Sequence, residues 1–386
     1  MPYKKSKFLY IFPLHPTSNF RIPVIFVFLL LFTLSLQAQD NNSWPSFRGN
    51  SGLSGFTNVT VPKTPKLLWS YKIGDATKSS PIIVKGNIFI GSIDGGLYSI
   101  SEKGKLNWKY NVGNAIEAPP LYLDNIVYVG SLEGPLFAID AKTGKLVWKY
   151  NTDGQISGSA NYVISGKSKR ILVGSYDYSL HSVNASNGKL AWKYSSENYI
   201  NGSPATNGKV AVFGGCDGLL HVVDANTGKL VHKIDIGTYI ASSSVLDGNM
   251  AFFGNYDGVF YCVDFVNKKI LWNREVGGAF IGSPSISGNK IVIGSENRNV
   301  YCFNKKDGRT LWSFKTLGKI TSSPVIAGTS VIVTSGDGRI YIFDLNTGQK
   351  IWSYEIGSPS ASTPAITQNM MVIAAEDGTV YGFGMK

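Results

Sequence analysis

Residues 138–148 read AIDAKTGKLVW, and this stretch decides the fold because it recurs along most of the chain. Residues 224–229 read DANTGK, and residues 344–352 read DLNTGQKIW. A tryptophan marks the repeat, with successive spacings of 39, 40, 44, 40, 40, 40 and 40 residues. The markers are Trp69, Trp108, Trp148, Trp192, Trp272, Trp312 and Trp352, with His232 in the one remaining slot. A fixed period near 40 indicates an array whose units bury their hydrophobic faces against one another.

Each unit reads as four short β-strands. In the second unit, residues 120–123, 126–130, 136–140 and 146–150 are apolar runs rich in β-branched and aromatic side chains, which is typical of strands. Residues that tolerate positive φ, such as Asn125 and Gly134, separate the runs. We therefore predict an all-β fold, an eight-bladed β-propeller of four-stranded antiparallel blades that occupies residues 65–386.

The two ends of the repeat complement each other. Residues 66–71 look like a fourth strand without a blade of their own, and the last unit, which ends near Tyr381, lacks a fourth strand. We predict that the Trp69 strand pairs with the Tyr381 strand in the last blade. This pairing closes the ring non-covalently and removes the exposed sheet edges that an open array would leave.

The first 38 residues differ from the rest. Four basic residues precede an apolar run at residues 22–36, and polar residues follow Ala38. This order is typical of a secretory signal peptide, and the run is shorter than the roughly 20 residues of a membrane span. We predict a signal peptide at residues 1–38, cleavage near Ala38, and a lead segment at residues 39–64. The alternative is an uncleaved membrane anchor; any other membrane contact is expected to be peripheral.

Charge and cysteine content exclude some partners. The formal net charge is +12, of which +8 remains without residues 1–38. Lysines recur at turns, such as Lys105 and Lys145, so they predict a solvated rim, and no nucleic-acid partner is expected for an exported chain. Cys262 and Cys302 occupy one place in neighbouring units, too far apart for a disulfide. The cysteines are therefore expected to be buried as small apolar residues.

A ring of carboxylates is the strongest candidate for a metal site. Its members share one repeat position: Asp94, Glu133, Asp177, Asp217, Asp257, Asp337 and Asp377, with Asn297 in the eighth unit. Glycine follows in six of the eight units, and Asp-Gly is a hairpin signal, so we interpret the ring as turn residues. Neither a metal site nor a catalytic constellation is predicted, and His181, His221 and His232 show no metal-ligand spacing.

The repeated AIDAKTGKLVW pattern resembles the tryptophan-docking repeat of the pyrroloquinoline-quinone-like eight-bladed propellers, and the resemblance covers residues 67–386. Residues 44–49, WPSFRG, also look like the start of exported proteins of this class. One branch of that family contains dehydrogenases that use the quinone and calcium. Another is the compact, non-enzymatic branch typified by the outer-membrane assembly factor BamB, a scaffold for protein contacts.

The resemblance favours the BamB-like branch. The repeats are near minimal, no two cysteines are adjacent, and no residue matches a quinone or calcium ligand by motif. This chain departs from the BamB lipoproteins in one respect, because the cysteine that carries their lipid is missing. We expect an exported, monomeric, non-enzymatic scaffold without a cofactor, located in the periplasm, the cell envelope or outside the cell. The alternative is a quinoprotein dehydrogenase-like oxidoreductase or a carbohydrate-binding propeller.

The loops that enter the innermost strands are the predicted partner site, because they diverge where structure alone would keep them alike. Tyr199, Tyr239 and Phe280 come from three consecutive units and predict one aromatic patch at the mouth of the central channel. Ile281, Lys319 and Lys78 belong to the same predicted surface. We expect a protein partner or an extended peptide to bind there. The alternative is that the rings only plug the channel mouth.

Overall fold

The computed structural model describes residues 41–385. The signal peptide predicted for residues 1–38 lies outside the described residues and stays a prediction. The described residues form eight four-stranded antiparallel sheets, and the first strands of neighbouring sheets contact one another at the centre of the ring. No helix able to cross a membrane is found in residues 41–385. The predicted eight-bladed, all-β propeller is confirmed.

The blades follow the sequence repeat, and their strands run from the central channel outwards in chain order. Blades 1 to 4 contain Ile82–Val84, Asn87–Gly91, Gly96–Ser101 and Leu106–Asn111; Leu121–Leu123, Ile126–Gly130, Pro135–Asp140 and Leu146–Asn151; Asn161–Ser165, Ser168–Gly174, Ser179–Asn184 and Leu190–Ser195; Ala205–Thr206, Val210–Gly214, Leu219–Asp224 and Leu230–Asp235.

Blades 5 to 8 continue the series. They contain Val245–Asp247, Met250–Gly254, Val259–Asp264 and Lys269–Glu275; Ser285–Ser287, Lys290–Gly294, Asn299–Asn304 and Thr310–Lys315; Val325–Ala327, Ser330–Thr334, Arg339–Asp344 and Lys350–Glu355; Ala365–Ile366, Met370–Ala374 and Thr379–Gly384, completed by the closing strand Lys66–Lys72. A further short strand, Phe56–Thr57, lies parallel to the first strand of blade 7.

The ring closes through both ends of the repeat, as predicted. The closing strand pairs antiparallel with Thr379–Gly384, and Ser70 lies opposite Tyr381. Trp69 of this strand donates a hydrogen bond from Nε1 to the carbonyl oxygen of Glu102 in blade 1, at 2.7 Å. The N-terminal strand therefore completes blade 8 and also ties it to blade 1.

The tryptophan repeat has a packing explanation. Trp108 Nε1 donates to the carbonyl oxygen of Ala141 in the next blade at 3.1 Å. Gly144 lies under the indole ring, where a Cβ would come within 2.7 Å of it, and Gly144 also has a φ of 69°. Six blades have a glycine at this turn, and the tryptophan of the preceding unit docks on it; these are Gly104, Gly144, Gly188, Gly228, Gly308 and Gly348. His232 makes the equivalent contact with the carbonyl oxygen of Phe265.

Residues 41–57, which we call the strap, contact the inner strand region of every blade. Strap carbonyl oxygens accept backbone N–H groups in blades 1, 2, 4, 5, 6, 7 and 8. The donors are Ile83, Tyr122, Thr206, Leu246, Ile286, Ile326 and Gln368, while the Asn161 side chain supplies the bond in blade 3. Except in blade 7, where Phe56–Thr57 pairs with the first strand, the described inner strands have no further strand on their channel side. The strap therefore satisfies backbone groups that would otherwise lack a partner.

Arg48 anchors the strap. Its side chain is completely buried and donates to the carbonyl oxygens of Pro324 and Pro284, at 2.5 and 2.6 Å. The burial lowers the pKa of Arg48 to about 9, which leaves the guanidinium charged at neutral pH. The proline position of the repeat therefore turns its carbonyl groups towards the centre, where two blades share one arginine.

Candidate functional site

The channel mouth is a shallow cavity of about 220 Å³ to which all eight blades contribute. Phe47 of the strap is in its floor, and small side chains such as Ser243, Gly282 and Ser323 form much of its wall. Side-chain hydroxyls link neighbouring blades there, because the N–H of Ser243 donates to Ser283 Oγ at 3.0 Å and that of Ser283 to Ser323 Oγ at 2.9 Å. The mouth is thus narrow and rigid.

Lys78 and Ile281 lie where they were predicted, at this mouth. Lys78 pairs with Glu117 of the neighbouring loop at 2.8 Å, and the hydrogen bond to that carboxylate raises the pKa of the lysine. Lys319 does not line this cavity; it is largely exposed and pairs with Glu296 at 3.3 Å. Lys78 and Ile281 thus line the channel mouth, and both lysines have acidic partners.

Phe280 is not part of the surface, so the prediction of an aromatic patch is wrong for this residue. Its side chain is completely buried and packs on Phe260, with ring centroids 5.8 Å apart. A Cβ at Gly254 would lie 2.2 Å from Cβ of Phe280, so the glycine makes room for it. The repeat position of Tyr199 and Tyr239 is filled in this blade by Ala279, one residue earlier, as the shared backbone hydrogen bonds show.

Tyr199 and Tyr239 nevertheless belong to a tyrosine cluster. Tyr199 is 40% exposed, and its ring stacks on Tyr176 at 4.7 Å and contacts Tyr178 at 5.1 Å. Tyr239 contacts Tyr256 at 5.6 Å, and its hydroxyl accepts a hydrogen bond from Asn201. We call Tyr176, Tyr178, Tyr199, Tyr239 and Tyr256 the tyrosine surface. It extends over blades 3, 4 and 5 beside the channel mouth.

Three members of this surface come from hairpins, and the sequence did not predict that these hairpins lie beside the loops. Tyr176 and Tyr178 lie in the hairpin of blade 3, and Tyr256 lies in that of blade 5. Hairpins and loops meet here because the N–H of Tyr256 donates to the carbonyl oxygen of Tyr239 at 3.0 Å. The available signal was Tyr178, which stands where six other units have glycine.

The carboxylate ring consists of turn residues, as predicted. Oδ1 of Asp94 accepts the N–H of Gly96 at 2.8 Å, two residues further on, and Asp177, Asp217, Asp337 and Asp377 repeat this arrangement. Burial opposes the ionisation of Asp94, but hydrogen bonds from Lys109, Tyr98 and Gly96 outweigh it and lower its pKa to about 2. In residues 41–385, no group of three or more His, Cys, Asp or Glu side chains is arranged to hold a metal ion.

Two buried histidines join this ring to tyrosines of the adjoining strands. His181 Nε2 lies 2.9 Å from Asp177 Oδ2, and its Nδ1 lies 2.9 Å from the hydroxyl of Tyr150. Burial lowers the pKa of His181 more than the neighbouring carboxylate raises it. His221 repeats the contacts one blade later, with Asp217 and Tyr194. Both imidazoles are almost fully buried, so they connect strands and are not open to a ligand.

Comparison with known families places the chain. The family model described as "Beta-alanine-activating enzyme, beta-propeller" matches residues 168–386, more than half of the chain. The chain belongs to this β-propeller family. A second model, described as "Outer membrane protein assembly factor BamB", matches residues 58–197. The resemblance to pyrroloquinoline-quinone-like and BamB-like propellers is therefore confirmed. No curated protein matches the chain significantly.

Solved structures share the fold of this family member. BamB from Moraxella catarrhalis is 19% identical with a TM-score of 0.73, and the match covers 83% of this chain and 100% of that chain. The computationally designed Ika8 protein is 19% identical with a TM-score of 0.74, covering 83% and 99%. Quinohemoprotein alcohol dehydrogenase from Comamonas testosteroni is 13% identical with a TM-score of 0.75, covering 89% and 80%. At these identities the likeness concerns the fold alone.

The residues at the channel mouth of this propeller do not fit a quinone cofactor of the kind that the dehydrogenase branch uses. The cavity of about 220 Å³ is smaller than the roughly 300 Å³ at which pockets for small molecules begin. The quinone carries several carboxylates, yet Lys78, the one lysine that lines the cavity, is already paired with Glu117.

Proposed function

We propose that this protein is a non-catalytic scaffold that binds a protein partner through the tyrosine surface. The observation that carries the proposal is Tyr178. Its φ of 66° is one that bulky residues rarely adopt, and its side chain is 44% exposed. Backbone strain of this kind persists where the surrounding structure enforces it and tends to occur at functional sites.

The composition of the surface suits a protein partner. Tyrosine is enriched among the residues that dominate binding energy, because its large ring has few rotatable bonds and a polar tip. Tyr178, Tyr199 and Tyr256 are each at least 40% exposed, so their rings are available for contact. The stacking between Tyr176 and Tyr199 holds the rings before binding, which lowers the entropy lost on association.

We further propose that the protein acts outside the cytoplasm, in the cell envelope. The basic and apolar N-terminal sequence supports export, and the match to the BamB family model supports a role in contacts between envelope proteins. The alternative, a quinoprotein-like oxidoreductase, is tested directly. Micromolar binding of the quinone with calcium, together with dye-linked alcohol oxidation, would replace the scaffold proposal.

The decisive experiment places a photo-crosslinking amino acid at Tyr256 and, as a matched control, at Pro359, which is exposed and holds the loop position of Tyr199 in blade 8, away from the tyrosine surface. Crosslinking in the native host followed by mass spectrometry should yield one protein from position 256 and not from position 359. The triple variant Tyr178→Gly, Tyr199→Ala, Tyr256→Ala should lose that partner. A variant that folds and retains the same partner would exclude this surface.

A further inference from the structure

A cavity larger than the channel mouth lies away from the tyrosine surface, between blades 1 and 2, and has a volume of about 660 Å³. We call it the interblade cleft; its lining includes Phe89, Trp108, Tyr122, Asn87, Asn107 and Asn125. It is at the opposite ends of the strands from the channel mouth, because it opens beside the turn between the first and second strands. Its volume is within the range of about 300–1,000 Å³ for small-molecule sites.

The cleft combines aromatic walls with amide groups. Phe89 forms its apolar base, and the rings of Trp108 and Tyr122 stand 5.8 and 6.4 Å from Phe89. Trp108 and Tyr122 are half-buried, and each is fixed by a hydrogen bond, from Trp108 to the carbonyl oxygen of Ala141 and from Tyr122 to Asn125 Oδ1 at 2.8 Å. The walls are therefore in place before a ligand arrives.

The asparagine side chains of the cleft are oriented by hydrogen bonds, and two of their polar atoms can still bind a ligand. Asn107 Nδ2 donates to Asn87 Oδ1 at 2.9 Å, and Asn125 Oδ1 accepts from Tyr122 and from Lys85. Within the part of the chain that the structure describes, Oδ1 of Asn107 and Nδ2 of Asn125 make no hydrogen bond with protein groups. The cleft thus offers one acceptor and one donor pair beside aromatic rings.

The polar character of this cleft is a local departure from the repeat. The residue before the marker tryptophan is aliphatic in every other unit: Leu68, Val147, Ala191, Val231, Leu271, Leu311 and Ile351. A neighbouring cleft of about 370 Å³ lies between blades 2 and 3 and has Val147 in place of Asn107 and Ile126 in place of Asn87. Blade geometry alone therefore does not require amides at these positions.

We propose that the interblade cleft binds one hexopyranose unit of a carbohydrate. A pyranose ring has an apolar C–H face that packs on aromatic rings, and its hydroxyl groups both donate and accept hydrogen bonds, as the amides require. Lys85 and Lys142 at the rim extend the same chemistry to a sugar that carries a carboxylate. Since the cleft and the tyrosine surface are separate, this proposal does not depend on the scaffold function.

The test is titration calorimetry of the full-length protein with methyl glucoside, N-acetylglucosamine and glucuronate. At least one of these should bind saturably, and a preference for glucuronate would assign a role to the rim lysines. Asn107→Val introduces the residue that the neighbouring cleft has at this position, and it should weaken binding by up to about tenfold, the effect of one lost hydrogen bond.

The reciprocal variant Val147→Asn is the control and should leave the affinity unchanged. Both positions are exposed, so unchanged melting curves are expected for both variants. Absence of binding to all three sugars would overturn the proposal. Equal affinity of the parent and Asn107→Val would overturn it as well, because binding would then occur outside this cleft.

Discussion

A left-handed backbone conformation is required in the hairpin between the second and third strands of each blade. Glycine supplies it in six blades, whereas Tyr178 in blade 3 and Arg298 in blade 6 adopt it with side chains, at φ values of 66° and 73°. For any residue with a Cβ atom this conformation is sterically unfavourable. The exposed ring of Tyr178 therefore lowers stability in a place where glycine was available.

Replacing Tyr178 by glycine should consequently stabilise the protein, by about 1 kcal/mol, since the steric cost of the left-handed conformation disappears. The measurement is the free energy of unfolding from urea titration. Gly218→Ala, at the same position of blade 4, is the control and should be destabilising, because Gly218 has a φ of 74°. A lower urea midpoint for Tyr178→Gly would contradict the strain argument.

His181 links stability to pH. Burial lowers the pKa of His181 in the folded protein, so the unfolded chain binds the proton more readily than the folded one. The free energy of unfolding should therefore fall below pH 6.5, by up to about 1.4 kcal/mol for each pH unit from this residue. Asp177, whose pKa is lowered in spite of its burial, adds a further loss at more acidic pH.

The variant His181→Tyr should flatten this dependence between pH 7 and pH 5. Tyrosine occupies the same position in blade 7, where the hydroxyl of Tyr341 donates to Asp337 at 2.7 Å, so the aspartate keeps a partner. Urea titrations at several pH values provide the slope. If parent and variant lose stability equally from pH 7 to pH 5, His181 is not the responsible group.

Local sequence patterns predict the strands of the blades, but they do not predict the conformation of the strap. Apolar runs recur in all eight units, a tryptophan marks seven of them, and glycine follows the turn carboxylate in six, so each copy supports the prediction of the others. Residues 41–57 occur once and include only two residues of strand, Phe56–Thr57, so they show neither repeat nor alternation. Their conformation depends on eight inner strands that are distant in sequence.

Deletion of residues 39–75 should abolish the cooperative thermal transition, because it removes both the strap and the closing strand. A shorter deletion, of residues 39–57, keeps the closing strand and should lower the melting temperature while one transition remains. Differential scanning calorimetry distinguishes the two. An unchanged melting curve after the longer deletion would show that the pairing of Ser70 with Tyr381 does not stabilise the ring.

At the scale of the whole molecule, the repeat predicted the blade number and the closure, whereas the site was only partly predictable. Ala279 lies 40 residues after Tyr239, as Tyr239 lies 40 after Tyr199, so the constant spacing of the markers assigns this loop position to Ala279 and not to Phe280. Tyr176 and Tyr256 were missed since hairpin and loop residues meet only after folding. Packing of separate segments, which no single unit encodes, assembles the tyrosine surface.

Export remains a prediction about the whole chain. We expect the protein isolated from its native host to begin near Gln39, since the basic start, the short apolar run and Ala38 are typical of a cleaved signal. Intact-mass measurement and N-terminal sequencing provide the answer. Retention of residues 1–38 would instead indicate a membrane-anchored protein whose propeller is tethered to the bilayer.

The strap and the closing strand also make closure of the ring depend on synthesis of residues far along the chain. They precede all eight blades in the chain, yet the partners of the closing strand, Thr379–Gly384, follow seven complete blades. A chain that terminates early keeps an unpaired closing strand and open inner edges, which are exposed to aggregation and proteolysis. Only a chain made as far as Gly384 can complete blade 8. A chain truncated before Thr379 therefore cannot close the ring, and it differs in structure from the closed protein before any partner binds.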